Sequence, residues 1–246
     1  MHLHGLGTVI NIASILIGSG IGVLFGSKMS EHAREVTTIS LSFITALAAV
    51  DALRSAWDPA LISQIPKGSV LFLILMALLT GVAIGLWAKI ETHLESFGEK
   101  LKQRFLRDNE SPFIEGFVSS SLLFVIGPMA IMGAISDGMG SGITQLTLKS
   151  ILDGIASIAF AASLGWGVAF SALPVGVYQG LWTVIGFFLG LVLPHYQIVA
   201  MTAVGGILLM GISLRLMKVK MVPVATMLPG LFMAPLVALI FHSIAR

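Results

Sequence analysis

Charged side chains are scarce in this sequence. Asp, Glu, Lys and Arg make up 11% of its 246 residues, whereas hydrophobic residues make up 56%. A soluble domain carries about 25% charged residues, because its surface must face water. So little charge cannot cover a globule of this size, which excludes an ordinary soluble protein. The mean hydropathy of +0.98 indicates that lipid surrounds most of the surface, and the formal net charge of +2 is no nucleic-acid footprint.

Cysteine is absent, which excludes disulfides, thiol nucleophiles and cysteine metal sites. The sequence also lacks HExxH, GxSxG, a phosphate loop and a glycine-rich dinucleotide fingerprint. Its six histidines are scattered over ends and connections. We therefore expect no enzyme, no cofactor and no metal site. An enzyme that uses Asp137 and Asp153 within the membrane remains the alternative.

Charge-poor stretches recur along the chain. A helix needs about 20 apolar residues to cross the hydrocarbon core. Candidate spans lie at residues 5–26, 36–54, 68–88, 116–136, 151–174, 177–193, 198–216 and 222–242. The opening MHLHGLG lacks the positive region of a secretory signal, so we expect the first stretch to remain as a span. The sequence predicts an all-α polytopic transmembrane helix bundle of about eight spans.

Lysine and arginine are distributed unevenly between the two predicted sides. One side receives Lys28, Arg34, Lys89, Lys100, Lys102, Arg104, Arg107, Arg215, Lys218 and Lys220. The other side receives Arg54, Lys67, Lys149 and Arg246. Because cytoplasmic connections are enriched in these residues, we place the first group in the cytoplasm and both termini outside.

The longest polar connection, residues 89–115, contains one apolar stripe. Its members recur at helical spacing: Ile90, Leu94, Phe97, Leu101 and Phe105. Basic residues follow at its C-terminal end: Lys100, Lys102, Arg104 and Arg107. This pattern predicts a cytoplasmic amphipathic helix that lies on the inner leaflet near anionic lipid. A helix that docks a partner protein is the alternative.

A weak internal similarity relates the two ends of this single membrane domain, residues 1–246. The matches are Ile17-Gly18 with Ile185-Gly186, Gly22 with Gly190, and Asn11 with Gln179. They predict a three-helix unit at 1–88 and a second at 177–246, around a central helix pair at 116–174. An odd number of spans separates the units, so the repeat would be inverted, as in many transporters. Chance matches between glycine-rich stretches are the alternative.

The fourth predicted span contains a helix breaker near its middle. Pro128 has no N–H to donate, and Gly127 leaves the backbone beside it open. A carbonyl left unpaired in hydrocarbon costs several kcal/mol, so it must face protein or a wet cavity. The two interpretations are a simple packed kink and a broken helix that offers its carbonyl to an ion or solute. Ser120 and Ser121 precede the break and could line the same cavity or bond back to their own helix.

The main polar constellation surrounds the predicted outer connection between spans four and five. It contains Asp137, Lys149 and Asp153, of which the last two share a helix face. Ionisable groups at membrane depth are usually functional, so we predict a substrate- or ion-binding site here. Interfacial pairing, or capping of span five by Ser150 or Asp153, is the alternative. Further candidates for the bundle interior are Asn11, Tyr178 and Gln179.

Two repeated residue types predict how the helices pack. Glycines four residues apart occur at Gly18 and Gly22, Gly81 and Gly85, and Gly186 and Gly190. Small residues let helices approach closely, either within one chain or in a homo-oligomer. Prolines recur along span eight at Pro223, Pro229 and Pro235, which predicts a kinked or partly unwound helix.

Several blocks of the chain resemble a known family. They are GTVINIASILIGSGIG at 7–22, EGFVSSSLLFVIGPMAIMGAISDG at 115–138, KSILDGIASIAFAASLGWGVAFSALPV at 149–175, YQG at 178–180 and MTAVGGILLMGISL at 201–214. In these blocks the chain resembles the bacterial membrane family catalogued as domain of unknown function 554, the YqgA/YdfK-like proteins. The resemblance implies a multi-pass protein of the bacterial inner membrane, sometimes labelled a transport protein, and supplies no site residues. Asp51 departs from the apolar residue expected there.

These observations favour a small secondary transporter or ion-conducting protein that moves a small solute or ion past the break in span four. The expected partners are the lipid bilayer, that solute or ion, and further copies of the chain, without nucleic acid. A membrane-embedded enzyme acting on a lipid-type substrate and a non-catalytic membrane scaffold are the alternatives.

Overall fold

The computed structural model describes residues 4–105, 112–190 and 193–245, and each regular element in these ranges is a helix. The helices that are long and apolar enough to cross a membrane are α1 (Leu6–Gly26), α2 (Glu31–Leu53), α4 (Val70–Trp87), α8 (Thr144–Leu164), α10 (Ala172–Leu189), α11 (His195–Leu216) and α13 (Pro229–Ala245). The shorter ones are α3 (Pro59–Ile62), α5 (Ile90–Phe105), α6 (Phe113–Val125), α7 (Pro128–Gly138), α9 (Gly167–Phe170) and α12 (Val224–Met227).

The helices α6 and α7 form a bent pair, and counting the pair as one span raises the number of candidate spans from seven to eight. Their axes differ by 63° across the break at Gly127. A Cβ atom on Gly116 of α6 would lie 3.0 Å from the side chain of Leu164, and one on Gly133 of α7 would lie 2.9 Å from that of Leu146. The pair therefore accompanies α8 from its end to its beginning, about 27 Å at 1.5 Å per residue, which is nearly the thickness of the hydrocarbon core.

The boundary between spans five and six is not where the sequence predicted it. The predicted spans were 151–174 and 177–193, but α8 is Thr144–Leu164 and the next span is Gly167–Phe188. Gly165 ends α8 with a φ of 76°, a conformation that favours glycine. The early start arises because Lys149, taken as a boundary residue, is neutralised inside the helix by Asp153. A paired lysine does not end a membrane helix.

The contacts divide the chain into two compact units. Unit 1 comprises Met1–Leu41, Leu94–Val125 and Met129–Val192; unit 2 comprises Ser42–His93, Ile126–Pro128 and Leu193–Arg246. In unit 1, α1 packs parallel to α8 through its glycines. A Cβ atom on Gly18, Gly22 or Gly26 would lie 2.3 Å from the carbonyl oxygen of Gly154, Ile158 or Ala162 respectively. The predicted close approach is confirmed, because only a missing side chain permits these distances.

Unit 2 uses the same device between α4 and the last span. A Cβ atom on Gly81 would lie 2.3 Å from the backbone nitrogen of Gly230, and one on Gly85 would lie 1.9 Å from the carbonyl oxygen of Thr226. The last span is interrupted at Leu228, between α12 and α13, so the partial unwinding predicted from its prolines is confirmed. Pro235 lies inside α13.

The amphipathic segment forms the single helix α5, Ile90–Phe105. In unit 1, a Cβ atom on Gly98 would lie 2.9 Å from the ring of Phe117 on α6. Phe97 contacts the same ring at a centroid distance of 5.9 Å. Arg107 and Arg246, which the sequence assigned to opposite sides, lie outside the described residues.

Candidate functional site

Three of the predicted residues meet inside unit 1. The carboxylate oxygen Oδ2 of Asp153 accepts hydrogen bonds from Nδ2 of Asn11 at 3.0 Å and from Nζ of Lys149 at 2.5 Å. Asn11 is fully buried, and Lys149 and Asp153 are each 7% exposed. A buried lysine and a buried aspartate in a membrane helix form a neutral ion pair, here held by an amide from a second helix.

The close packing of α1 on α8 brings these residues together. Asn11 lies two turns before Gly18, and hence on the same face of α1. Asp153 directly precedes Gly154, whose carbonyl oxygen meets Gly18. A larger residue at Gly18 would separate the helices and break the hydrogen bond between Asn11 and Asp153. The glycine spacing and the polar cluster are therefore parts of one arrangement.

The helix α6 covers the ion pair with an aromatic ring. The ammonium nitrogen of Lys149 lies 6.0 Å from the ring centroid of Phe124, a distance at which cation and ring still attract weakly. Ser120 lies one turn before Phe124 on the same helix face. Within the described part of the chain, the hydroxyls of Ser119, Ser120 and Ser157 are buried without a hydrogen-bond partner.

A buried glutamine of α10 lies at the level of Asn11. The hydroxyl oxygens of Thr8 and Thr183 are 3.4 Å apart, and a Cβ atom on Gly176 would lie 2.8 Å from the side chain of Ile12. These contacts fix an antiparallel register of α1 and α10 that brings Gln179 to the level of Asn11. Gln179 is fully buried, and both of its amide atoms lack a partner among the described residues. Such orphaned groups cost about 1–3 kcal/mol each, so they mark a polar interior.

Asp137 contacts the backbone at the start of α1. Its carboxylate accepts hydrogen bonds from the backbone N–H groups of Gly5 at 3.2 Å and Gly7 at 2.9 Å. It thus satisfies free N–H groups at the positive end of α1. Gly7 lies one turn from Asn11, so Asp137 is near the ion pair but has its own partners.

The alternative in which Ser150 or Asp153 caps span five is wrong. The helix α8 begins at Thr144, ahead of both residues, and its N-cap residue, Ile143, makes no side-chain cap hydrogen bond. Ser150 instead donates to the carbonyl oxygen of Leu146 at 2.6 Å. The misplaced start of α8 accounts for this error.

Two other candidates are buried and have partners of their own. Ser121 donates to the carbonyl oxygen of Phe117 in its own helix at 2.5 Å, as the alternative interpretation expected. The ring of Tyr178 meets Trp182 edge-on at 6.3 Å. Tyr178 and Gln179 are consecutive, so they point about 100° apart around α10.

Gly127 and Pro128 form a real break between two helices. A Cβ atom on Gly127 would meet nothing within 4 Å among the described atoms, and its φ is 155°. By their contacts, Ile126–Pro128 belong to unit 2, whereas the hydrogen bonds of the Lys149–Asp153 pair lie within unit 1. The broken-helix geometry predicted from the sequence is present, and the space beside Gly127 is open.

Unit 2 contains a second ion pair, in which the side chain of Arg215 is 4% exposed and that of Glu91 is 17% exposed. An oxygen of Glu91 accepts from Nη1 of Arg215 at 2.7 Å, and its other oxygen accepts from the backbone N–H of Thr226 at 3.1 Å. Arg215 was assigned to a cytoplasmic connection but is 3% exposed at the end of α11. Its partner lies 124 positions away, so no local pattern could reveal the pair.

An apolar groove of about 600 Å³ lies on unit 1. Its lining includes Ile12, Leu16, Trp166, Phe170 and Leu173. None of the described side chains that line it is charged, so the groove suits lipid chains rather than a polar solute. Its apolar lining contrasts with the charged side chains of the Lys149–Asp153 pair.

Seven or eight candidate spans, with an ion pair buried among them, define a polytopic membrane protein. The chain belongs to the family described as "Protein of unknown function (DUF554)", whose model matches residues 6–239. It is 26% identical to the "Uncharacterized membrane protein YdfK" of Bacillus subtilis over 96% of this chain and 97% of that one. It is 30% identical to the "Uncharacterized protein YqgA" of Escherichia coli over 93% and 94%. No solved structure matches.

Proposed function

We propose that this protein is a secondary transporter or ion-conducting protein that moves a small solute or ion across the bacterial inner membrane. The observation that carries the proposal is the buried Lys149–Asp153 pair, bound by Asn11 inside unit 1. Charges inside membrane spans are expensive, and those that persist usually mark ion or solute pathways. A purely structural role could be filled at lower cost by apolar side chains.

Buried polar groups on several helices support the same proposal. The amide of Gln179 and the hydroxyls of Ser120 and Ser157 have no hydrogen-bond partner within the described ranges. In a packed bundle such groups would be replaced by apolar ones, whereas water or a polar solute would satisfy them. They lie on α10, α6 and α8, the helices that pack around the ion pair in unit 1.

The packing of helix pairs supports the proposed inverted repeat. In unit 1, α1 packs antiparallel to its counterpart α10. In unit 2, α2 packs antiparallel to α11, where Ser213 donates to the carbonyl oxygen of Ser42 at 2.8 Å and Gly206 approaches Ala49. The glycine contacts of α4 with α12 and α13 are antiparallel as well. A helix and its counterpart in an inverted repeat run in opposite directions, and such repeats are a common architecture of transporters.

Reconstitution in liposomes tests the proposal. The purified protein should move one or more probes from a panel of salts, amino acids and sugars, measured as the contents of the vesicles by ion chromatography and mass spectrometry. Asp153→Asn should abolish this flux, because it removes the buried negative charge. Asp51→Asn is the matched control, because the side chain of Asp51 is 82% exposed and pairs only loosely with Arg54 at 3.8 Å.

The outcome of this experiment is decisive in both directions. Flux in the wild type and in Asp51→Asn, together with loss in a folded Asp153→Asn, supports the proposal. Absence of flux for the whole panel, with the helical content intact, contradicts it. Flux that survives in Asp153→Asn would remove the ion pair from the pathway.

The arrangement of carboxylates favours transport over catalysis. Asp137 is occupied by the N–H groups of α1, and Asp153 by Lys149 and Asn11. The apolar groove, where a lipid-type substrate would fit, offers no carboxylate among its described lining residues. We also propose that the termini lie outside and that the chain forms a homo-oligomer, for which Gly20 and Gly180 offer open helix surface.

A further inference from the structure

We propose that transport by this protein is coupled to protons, and that the Lys149–Asp153 pair is the site of proton exchange. The inference rests on the proposed function and adds the coupling ion to it. Its basis is the juxtaposition of a lysine, an aspartate and an unpartnered amide oxygen in the interior of unit 1. Lys149 and Asp153 are the two groups that exchange the proton.

Charge balance is the first step. The pair as found is neutral, and a net charge in a low-dielectric interior is costly. If a charged solute binds beside the pair, the site carries a net charge unless one of its own groups changes charge. Lysine and aspartate can both do so, because each can exchange a proton with water.

Movement of one proton can offset the charge of either a cationic or an anionic solute. With a cationic solute, the ammonium group of Lys149 releases a proton to water, and the cation takes over the negative charge of Asp153. Proton and solute then travel in opposite directions. With an anionic solute, the carboxylate of Asp153 takes up a proton, and the freed ammonium group faces the anion. Proton and solute then travel in the same direction.

The surroundings of the pair leave room for such an exchange. The amide oxygen Oδ1 of Asn11 is buried and accepts no hydrogen bond from the described residues, although the same side chain binds Asp153. It can accept from water or from a solute as Lys149 moves away. The ring of Phe124, 6.0 Å from the ammonium nitrogen, bounds the other side of the pair.

Other titratable groups of unit 1 lie on elements that pack against α8. Asp137 on α7 is held by the N–H groups of Gly5 and Gly7. Tyr178 on α10 contacts Trp182. Further charged groups lie toward the far end of α8. They are Glu115 on α6 and, in the first turns of α2, Glu31, His32, Arg34 and Glu35. The exchange is therefore assigned to Lys149 and Asp153, which are in direct contact.

Lys149→Arg tests the exchange that accompanies a cationic solute. Arginine retains a positive charge to pair with Asp153, but it does not lose its proton in proteins, so this variant should stop the proton release at position 149 and leave the proton uptake at Asp153 that accompanies an anionic solute. A second variant, Lys149→Met with Asp153→Asn, removes both charges and leaves neither partner unpaired. Asp51→Asn serves again as the surface control.

The assay uses proteoliposomes that contain a pH-sensitive dye. NaCl, KCl, choline chloride, potassium nitrate and potassium aspartate are added one at a time, and the vesicle contents are measured in parallel. Wild-type protein and Asp51→Asn should change the internal pH whenever a probe enters. The pH response should fall at least tenfold in the double variant for any cargo. In Lys149→Arg it should fall as much for a cationic cargo and persist for an anionic one. An alkaline change indicates a cationic cargo, and an acidic change an anionic one.

Two failures are distinguishable. If a probe enters without a pH change, or if Lys149→Arg retains the full pH response to a cationic probe, proton coupling is contradicted while the proposed transport function stands. If the wild type moves none of the probes, both proposals fail. As a check independent of vesicles, adding the transported probe to purified protein in weakly buffered detergent should change the pH with the wild type and not with the double variant.

Discussion

The two units of this protein each contain an ion pair that is largely buried. The two pairs differ in the sequence separation of their partners and in the number of helices that they join. In unit 2, Glu91 joins an arginine 124 positions away and also binds the backbone of Thr226, so it connects α5, α11 and α12. In unit 1, Lys149 and Asp153 are four residues apart on one helix, and their pair binds one further helix through Asn11. The first pair therefore connects three helices of the fold, whereas the second pair lies within one helix, which can form without it.

The chemistry of the cations reinforces this difference. Arg215 stays charged in any protein environment, so Glu91 always has a counter-charge. The Lys149–Asp153 pair lies beside the buried amide oxygen of Asn11, which has no hydrogen-bond partner among the described residues. We infer that the unit 2 pair serves stability and the unit 1 pair serves function. The predictions that follow test this division, and the exposed Asp51–Arg54 pair supplies a baseline.

Glu91→Gln should have the largest effect on stability. The change removes the negative charge that faces the buried guanidinium of Arg215, and breaking one side of a buried pair typically costs about 3–5 kcal/mol. The free energy of unfolding in mixed micelles measures it. Glu99→Gln, at an exposed position of the same helix, should change stability by less than about 0.5 kcal/mol. Equal stabilities of the two variants would contradict the structural role of Glu91.

Lys149→Met should cost less, about 2 kcal/mol, because Asp153 keeps its hydrogen bond from Asn11. Combining it with Asp153→Asn should recover part of this loss, since neither partner then remains charged. The same unfolding measurement, as a double-mutant cycle, gives the coupling between the two residues. A double variant less stable than both single variants together would show that unit 1 depends on the pair for folding.

Asp137→Asn should cost about 1 kcal/mol, because it weakens the hydrogen bonds to Gly5 and Gly7 and removes a negative charge from the positive end of α1. Hydrogen exchange should become faster in the first turn of α1 and remain unchanged at Asp153. Faster exchange throughout α8 would instead indicate that Asp137 and Asp153 act as one cluster.

Asp51→Asn should have the smallest effect, below about 0.5 kcal/mol. The side chains of Asp51 and Arg54 are 82% and 79% exposed and 3.8 Å apart, and such surface pairs contribute little. Thermal melting of the variant beside Glu91→Gln and Lys149→Met would rank the three ion pairs. A loss as large as that of a buried pair would mean that this surface is covered in the membrane-embedded protein.

Much of the site could be predicted from local spacing, and the failures have a common cause. The pairing of Lys149 with Asp153 follows from their separation of four residues on a helix. The burial of both residues, and the role of Asp137 as a helix cap, depend on where α1 packs. Treating Lys149 as a marker of the membrane boundary displaced the start of α8, because hydropathy cannot register that a charge is neutralised by its neighbour.

The composition alone determined that this chain lies in a bilayer, since the number of charges sets how much surface can face water. The apolar lengths predicted about eight spans, where the structure has seven or eight candidates, and the glycine spacings determined which helix faces could approach closely. Only the tertiary structure decided that Asn11 meets Asp153 and that Glu91 meets Arg215. Those partners come from different helices, and a linear pattern holds no information about which faces come into contact.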